Sequence, residues 1–364
     1  MQYIFIHLLN DYSGSPKVLS QVVTSVKENG NDAVVFTGKF GNKTTGFLSN
    51  IVKKHQYYFY KRFNNRYATL VSFMLSQVIL FFKLLKYINK DVVIYVNTML
   101  PFGAALAGFV MRKPVYYHVH EISLTPLSLK RFLRAVIQLT ATKIIYVSET
   151  VKMAEPFVGK ETQVLYNVLP ESFALQAQAH KYQYRSNNIF KVLMIASLKD
   201  YKGIKEFFAI AAALLGENTI RFRLVLNANQ QEIDSYIKGI DVPKNVTLVP
   251  RQKNVIPFYE QASLVLNLSR IDICIETFGL TIIEAMSFGI PVIVPPVGGP
   301  TEIVTHNKEG FLMSSYSIKE IADKIHMLSN NESKCMTLSK NAKERTLFFN
   351  EANFNRTILN VLDA

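Results

Sequence analysis

Apolar residues in this chain cluster in short runs, each closed by a polar residue, with longer helix-spaced stretches between them. "QYIFIHLL" and "DAVVFTG" open the series, and the intervening "SPKVLSQVVTSVKENG" repeats its apolar positions at helical spacing and stops at Gly30. "DVVIYVNT", "PVYYHVHE" and "KIIYVSE" follow, and "TQVLYNVLPESF" gives a further short strand and exit loop. Strands that are apolar throughout and end in polar residues belong to a parallel sheet covered on both faces, with function at the carboxyl ends.

The pattern breaks at "ALQAQAHKYQYRSNN", which is polar and Gln-rich, and residues 173–188 are read as a linker. Strand signals restart with "KVLMIAS", "RFRLVLNA", "NVTLVP", "ASLVLNLS" and "PVIVPP", separated by helical segments such as "KGIKEFFAIAAALLGE". The expectation is α/β: two doubly wound, Rossmann-like domains in series, over residues 1–172 and 189–347. The closing stretch places Phe354, Ile358 and Val361 at helical spacing.

Composition supports this reading. A chain of 364 residues exceeds one comfortable core, and 49% hydrophobic content argues for packed domains. Cys274 and Cys335 have no paired spacing and no His cluster nearby, so neither a disulfide framework nor a zinc site is expected. The first residues lack the cationic lead of a signal peptide and read as a strand, so a cytoplasmic protein is expected.

The net charge of +14 is uneven: between Asp32 and Asp91 lie ten Lys or Arg and no acidic residue. "IVKKHQYYFYKRFNNRY" interleaves Lys53, Lys54, Lys61, Arg62 and Arg66 with Tyr57, Tyr58 and other aromatics, and "ATLVSFMLSQVILFF" follows, 15 residues long. A spanning helix needs about 20 apolar residues. The segment is therefore read as basic, aromatic helices on an anionic membrane surface, placing the protein peripherally at the inner face of the membrane. Nucleic acid and a core helix with a solvated flank are the rivals; no nucleic-acid partner is expected.

Candidate chemistry sits in "ETFGLTIIEAM". A helix expected to begin near Gly279 would present the first-turn amides of Gly279, Leu280 and Thr281, which lack intrahelical partners and carry the positive end of the helix dipole. That is an anion site, and a glycine lets a phosphate approach the backbone. Glu284, one turn in among Ile283, Ala285 and Met286, is costly to bury without donors, and ribose hydroxyls would serve. Glu276, on the loop before the helix, would face a sugar at the other end of a diphosphate. The competing reading makes Glu284 a satisfied core residue and Glu276 a solvated one.

"ETFGLTIIEAMSFGIPVIVPPVGGPTEIV" resembles the E-x7-E signature of GT-B glycosyltransferases, specifically the retaining family 4, also called group 1. The likeness continues through Pro291, Gly298-Gly299, Glu302 and "EGFLM". It implies that Glu276 meets the donor sugar, that Glu284 holds the ribose, and that the backbone at Gly279 and Leu280 meets the diphosphate, with Phe278, Thr281 and Ser197 also in the donor site. "ASLKDYKG" resembles the family's phosphate loop; Lys202 and Gly203 match it, whereas Ala196 and Ser197 replace a Gly and an Arg. Arg251 or Arg270 would then supply the missing cation. In the first domain, "SGSPKVLSQVV" places Gly14 and Ser15 beside the donor, "YYHVHE" offers His120 and Glu121 to the sugar or acceptor, and Ser148 and Asn167 line the cleft.

The resemblance implies a metal-independent retaining transferase using a UDP- or GDP-sugar, with no cofactor and with residues 348–364 packing back on the first, acceptor-binding domain. Glu276, His120 and Lys202 are its expected catalytic groups. The acceptor is expected to be a saccharide or lipid-linked saccharide of capsule, O-antigen or related envelope synthesis. The sequence contains no Asp-x-Asp motif, so no metal is called for. A GT-B epimerase, a phosphorylase or an inactive nucleotide-sugar-binding partner is the alternative. A dehydrogenase is not expected, because no G-x-G-x-x-G follows the first strand.

Overall fold

In the computed structural model, which describes residues 1–39 and 46–363, the apolar runs form two parallel sheets, each at the centre of its own compact unit. The first unit is Met1–Asn167 with Ala352–Ala364, and the second is Val168–Glu351.

The first sheet contains β1 (Gln2–Leu9), β2 (Asp32–Lys39), β3 (Lys54–Phe59), β4 (Val92–Asn97), β5 (Val115–Val119), β6 (Lys143–Tyr146) and β7 (Glu161–Val164). Its order is β3-β2-β1-β4-β5-β6-β7, with Ile4 opposite Val34 on one side and Ile94 on the other. Ile4, Phe36, Ile94 and Tyr117 lie in its core. The final helix, Glu351–Asp363, packs back here: Tyr3 Oη donates to Leu362 O at 3.3 Å and Lys143 Nζ to Val361 O at 2.9 Å.

The second sheet contains β8 (Phe190–Ala196), β9 (Ile220–Leu226), β10 (Val246–Val249), β11 (Leu264–Leu266), β12 (Val292–Val294) and β13 (Gly310–Leu312), in the order β10-β9-β8-β11-β12-β13. In both sheets the winding direction reverses once, between β1 and β4 and between β8 and β11. Ligands of doubly wound sheets bind outside the strand carboxyl ends at such reversals.

Three expectations need correction. First, "KHQYYF" is not helical but forms β3, an edge strand. Its alternation turns Tyr58 inward, where it is 1% exposed and donates to His7 O at 3.0 Å, so Tyr58 belongs to the core and to no surface. Second, residues 173–188 are not a plain linker: Glu171–Ala179 is a helix of the second unit, and Phe173 packs edge-on against Phe288 at 5.6 Å. Third, the 15-residue apolar run lies inside a longer helix, Arg66–Leu84. Continued to Tyr87, this helix is long and apolar enough to cross a membrane by length and composition.

Candidate active site

The second unit builds its site at the β8/β11 reversal. Gly203, directly after Lys202, has φ +78°, and a Cβ there would stand 2.2 Å from Leu268 O. This close approach seats the Lys202 loop on the end of β11. Lys202 Nζ then lies 2.6 Å from Glu276 Oε2 and donates to Ser269 Oγ at 3.4 Å, while Ser269 Oγ donates to Glu276 Oε2 at 3.2 Å. Burial works against the charge on Glu276. The adjacent Lys202 ammonium, with hydrogen bonds from Lys202, Ser269 and Asn267, outweighs it and holds the carboxyl below its ordinary range.

The loop carrying Glu276 is fixed from behind. Gly299 N donates to Glu276 O at 2.9 Å, and a Cβ on Gly299 would stand 2.3 Å from Thr277 O. Phe278 is buried edge-on against Phe349 at 5.7 Å. Gly279, at φ +101°, is the N-cap of the helix Leu280–Ser287, so the helix opens where the sequence places it. Leu280 and Thr281, both partly exposed, form its first turn. One turn on, Glu284 is 6% exposed and accepts from Tyr259 Oη at 2.8 Å. Tyr259 stacks on Phe288 at 5.7 Å, and burial together with the Glu284 charge pushes its phenol up, so it remains a donor.

Ser197, Arg251 and Arg270 have partners of their own. Ser197 directly follows β8, and its carbonyl accepts from Lys199 N at 2.8 Å. Exposed Arg251 is held by Asn227, with Nε donating to Oδ1 at 2.6 Å. Arg270 is engaged by Glu206 at 2.7 Å.

The first unit gathers polar groups at its own reversal. Asn97, at the end of β4, donates from Nδ2 to His7 Nδ1 at 3.1 Å and to Ser15 O at 3.2 Å, and its Oδ1 accepts from His120 Nε2 at 2.9 Å. Gly14 is the exposed first residue of the helix Gly14–Glu28. The His118 ring lies tilted against that of His120, centroids 4.3 Å apart, and shares a 2.9 Å hydrogen bond with Tyr95. Burial pushes His7 down to about 4 and His118 down to about 3. His120 is also held well below its ordinary value, by burial first and then by the two other rings. Glu121 accepts from the backbone N–H groups of Met99 and His120 at 3.2 and 3.3 Å, and burial raises it to about 7. Ser148 is a buried N-cap, accepting from Val151 N at 3.2 Å. Asn167 is 5% exposed, at the end of the first unit.

The structure thus brings Lys202 to Glu276, and His120 to Ser15 through Asn97. Sequence reasoning missed Ser269, Tyr259, His7 and Asn97. The signal available for the last two was their position, since Asn97 closes the apolar β4 and His7 is a polar residue near the end of the apolar β1, at the reversal.

Residues 177–345 match the family described as glycosyl transferases group 1. N-acetyl-alpha-D-glucosaminyl L-malate synthase of Bacillus anthracis is 26% identical over 56% of this chain, a stretch that spans 53% of the relative's own length. The capsular polysaccharide biosynthesis glycosyltransferase CapM of Staphylococcus aureus is 25% identical over 72% of this chain and 74% of its own. Among solved structures, HepE of Anabaena in complex with UDP and glucose superposes with a TM-score of 0.79 at 21% identity, covering 100% of both chains. The helix that opens at Gly279 thus lies inside a region, residues 177–345, that matches the glycosyl transferases group 1 family, and the chain, with two parallel sheets that each reverse once, has the GT-B fold.

Proposed function

We propose that the chain is a retaining glycosyltransferase that moves a sugar from a nucleoside diphosphate to an acceptor hydroxyl. The observation that carries this reading is the 2.6 Å pairing of Lys202 with Glu276 beside a helix N-terminus that opens on Gly279. A cation, first-turn amides and a carboxylate are three groups that a donor uses differently. The leaving diphosphate gains negative charge as the sugar departs, and Lys202 with the amides after Gly279 stabilises it. Released from Lys202, Glu276 faces the sugar hydroxyls. Glu284, which accepts from Tyr259, holds the ribose hydroxyls. His120, kept neutral by burial, serves the sugar or acceptor as a hydrogen-bond partner and not as a cation.

UDP is the first nucleotide to test, since the fold-mate HepE was solved with it. The acceptor we favour is a lipid-linked saccharide of envelope polysaccharide assembly, in keeping with the name of the CapM relative. A second reading, a protein that binds sugar nucleotides without turning them over, is favoured by Ser197 and by the engagement of Arg270 with Glu206.

A thermal-shift panel of UDP, GDP and their sugars tests the first reading. A nucleotide at 100 times its dissociation constant adds about 2.7 kcal/mol of stability, and Glu284→Ala is expected to abolish that shift. No shift with any member overturns the reading. A shift without release of UDP or GDP in the presence of acceptor selects the second reading.

A further inference from the structure

The helix Arg66–Leu84 has its polarity reversed. Toward the unit it turns Ser72, Ser76 and Gln77, all buried, together with Phe73, Leu80 and Leu84. Ser72 Oγ accepts from Lys61 N at 3.0 Å, and Gln77 Oε1 accepts from Gly103 N at 3.1 Å. Outward, along a single helical stripe, Tyr67, Val71, Leu75, Val78 and Phe82 are 63, 67, 49, 52 and 64% exposed. Helices on water-facing surfaces show the opposite distribution, and a contiguous exposed apolar stripe marks a contact surface.

Length alone would let this helix span a bilayer, but its packing argues otherwise. A Cβ on Gly103 would stand 2.1 Å from Gln77 O, so the helix lies backbone against backbone on its neighbour, Phe102–Val110. Spanning would break that contact and strand Ser72 and Gln77 in hydrocarbon, where unsatisfied polar groups are costly. The helix therefore lies along a surface and does not cross one.

Charge identifies the surface. Lys61, Arg62 and Arg66 flank one end of the stripe and Lys83 and Lys86 the other; Lys61 lies over the Phe63 ring at 4.6 Å and Arg66 over Tyr67 at 4.9 Å. Across residues 33–148 the sequence has sixteen Lys or Arg against two acids, Asp91 and Glu121. An apolar stripe with cationic ends complements anionic lipid, the acyl boundary receiving the stripe and the headgroups the charges.

We propose that this face docks the protein flat on an anionic membrane, with Val71, Leu75 and Val78 inserted. The proposal stands apart from the transfer reaction, and its test uses neither donor nor acceptor, so either reading can fail alone. The full chain is expected to co-sediment with vesicles of phosphatidylglycerol and phosphatidylcholine, less so as salt rises, and to remain in the supernatant with phosphatidylcholine alone. The triple variant Val71→Glu/Leu75→Glu/Val78→Glu changes only exposed positions and should melt as the parent does while losing at least roughly tenfold in vesicle affinity. The chain has no tryptophan, so Val78→Trp provides a lone reporter whose emission should shift to the blue on the anionic vesicles. Undiminished binding of the triple variant, or an unshifted Val78→Trp, overturns the proposal. So does a dimer that the triple variant dissolves in sedimentation velocity without any vesicle binding, which would assign the face to a second copy.

Discussion

Lys202 and Glu276 neutralise each other at 2.6 Å with side-chain exposures of only 23% and 16%, yet the reaction proposed for them needs both groups turned to a donor. Stability and function therefore make different demands on one pair. Removing a single partner strands the other charge in a poorly solvated place, which costs up to about 3 kcal/mol when a buried pair is broken from one side. Lys202→Met is expected to approach that loss and Glu276→Gln to lose less, because a neutral amide still accepts from Lys202 and Ser269. The double variant Lys202→Met/Glu276→Gln should recover most of the stability lost by Lys202→Met and none of the nucleotide affinity. Urea unfolding of the three variants beside a nucleotide titration separates the two demands. If the double variant is as unstable as the sum of the singles, the pair is not an energetic unit and the donor argument loses its cation.

At the scale of elements, the strand ends of the first sheet set a pH dependence. Between about pH 4.5 and 6.5 the unfolded histidines take up protons, while His7, held to about 4, and His118, held to about 3, stay neutral in the fold. His120 behaves as they do. The unfolded state binds more protons, so stability rises with pH through that window and is lost on acidification. Glu121 acts in the opposite sense: raised to about 7, it keeps its proton in the fold where an ordinary carboxyl has released it, so it favours the fold toward acid. His7 and His118 against Glu121 leave a net of about one proton, on the order of 1 kcal/mol per pH unit, and His120 adds to the slope in the same direction. Unfolding free energies at pH 5 and 6.5 should show this slope, and His118→Gln should flatten it by about one proton; an unchanged slope would mean that His118 titrates normally. Of these elements, the sequence made most strands legible, because runs such as "DVVIYVNT" carry their burial in their composition and close on a polar residue. β3 was illegible for the converse reason: "KHQYYF" is an edge strand, buried mainly at Tyr58, so charge and aromatics obscured its two-residue period. The Glu276 loop and the helix carrying Glu284 were legible through glycines such as Gly279, whose φ of +101° admits little else. Ser269 and Tyr259 were not, since partners from other strands and helices leave no local pattern.

At the scale of the whole molecule, the chain finishes the first unit with its last residues, and this separates the fates of the two units. The helix Glu351–Asp363 buries Phe354, Ile358, Val361 and Leu362 in the first unit, where Ser25 Oγ also donates to Asn355 Oδ1 at 2.6 Å. Four such side chains contribute about 6–12 kcal/mol at roughly 1.5–3 each, a sum comparable with the entire stability of a domain, about 5–15 kcal/mol. A chain ending at Glu351 is therefore expected to lose the cooperative unfolding of the first unit altogether and not merely to melt earlier. The second unit keeps its sheet, and Lys202, Glu276 and Glu284 all lie within Val168–Glu351. The truncated chain should accordingly retain one melting transition that still moves upward with UDP or GDP, if that nucleotide shifts the full chain. Calorimetry of both chains, with and without nucleotide, decides the matter. A truncated chain that unfolds as the full chain does would show that the terminal helix contributes little to the first unit. Loss of the nucleotide response together with the first unit would show that the donor site requires groups from both units, making the strand ends around Asn97 and His120 part of nucleotide binding itself.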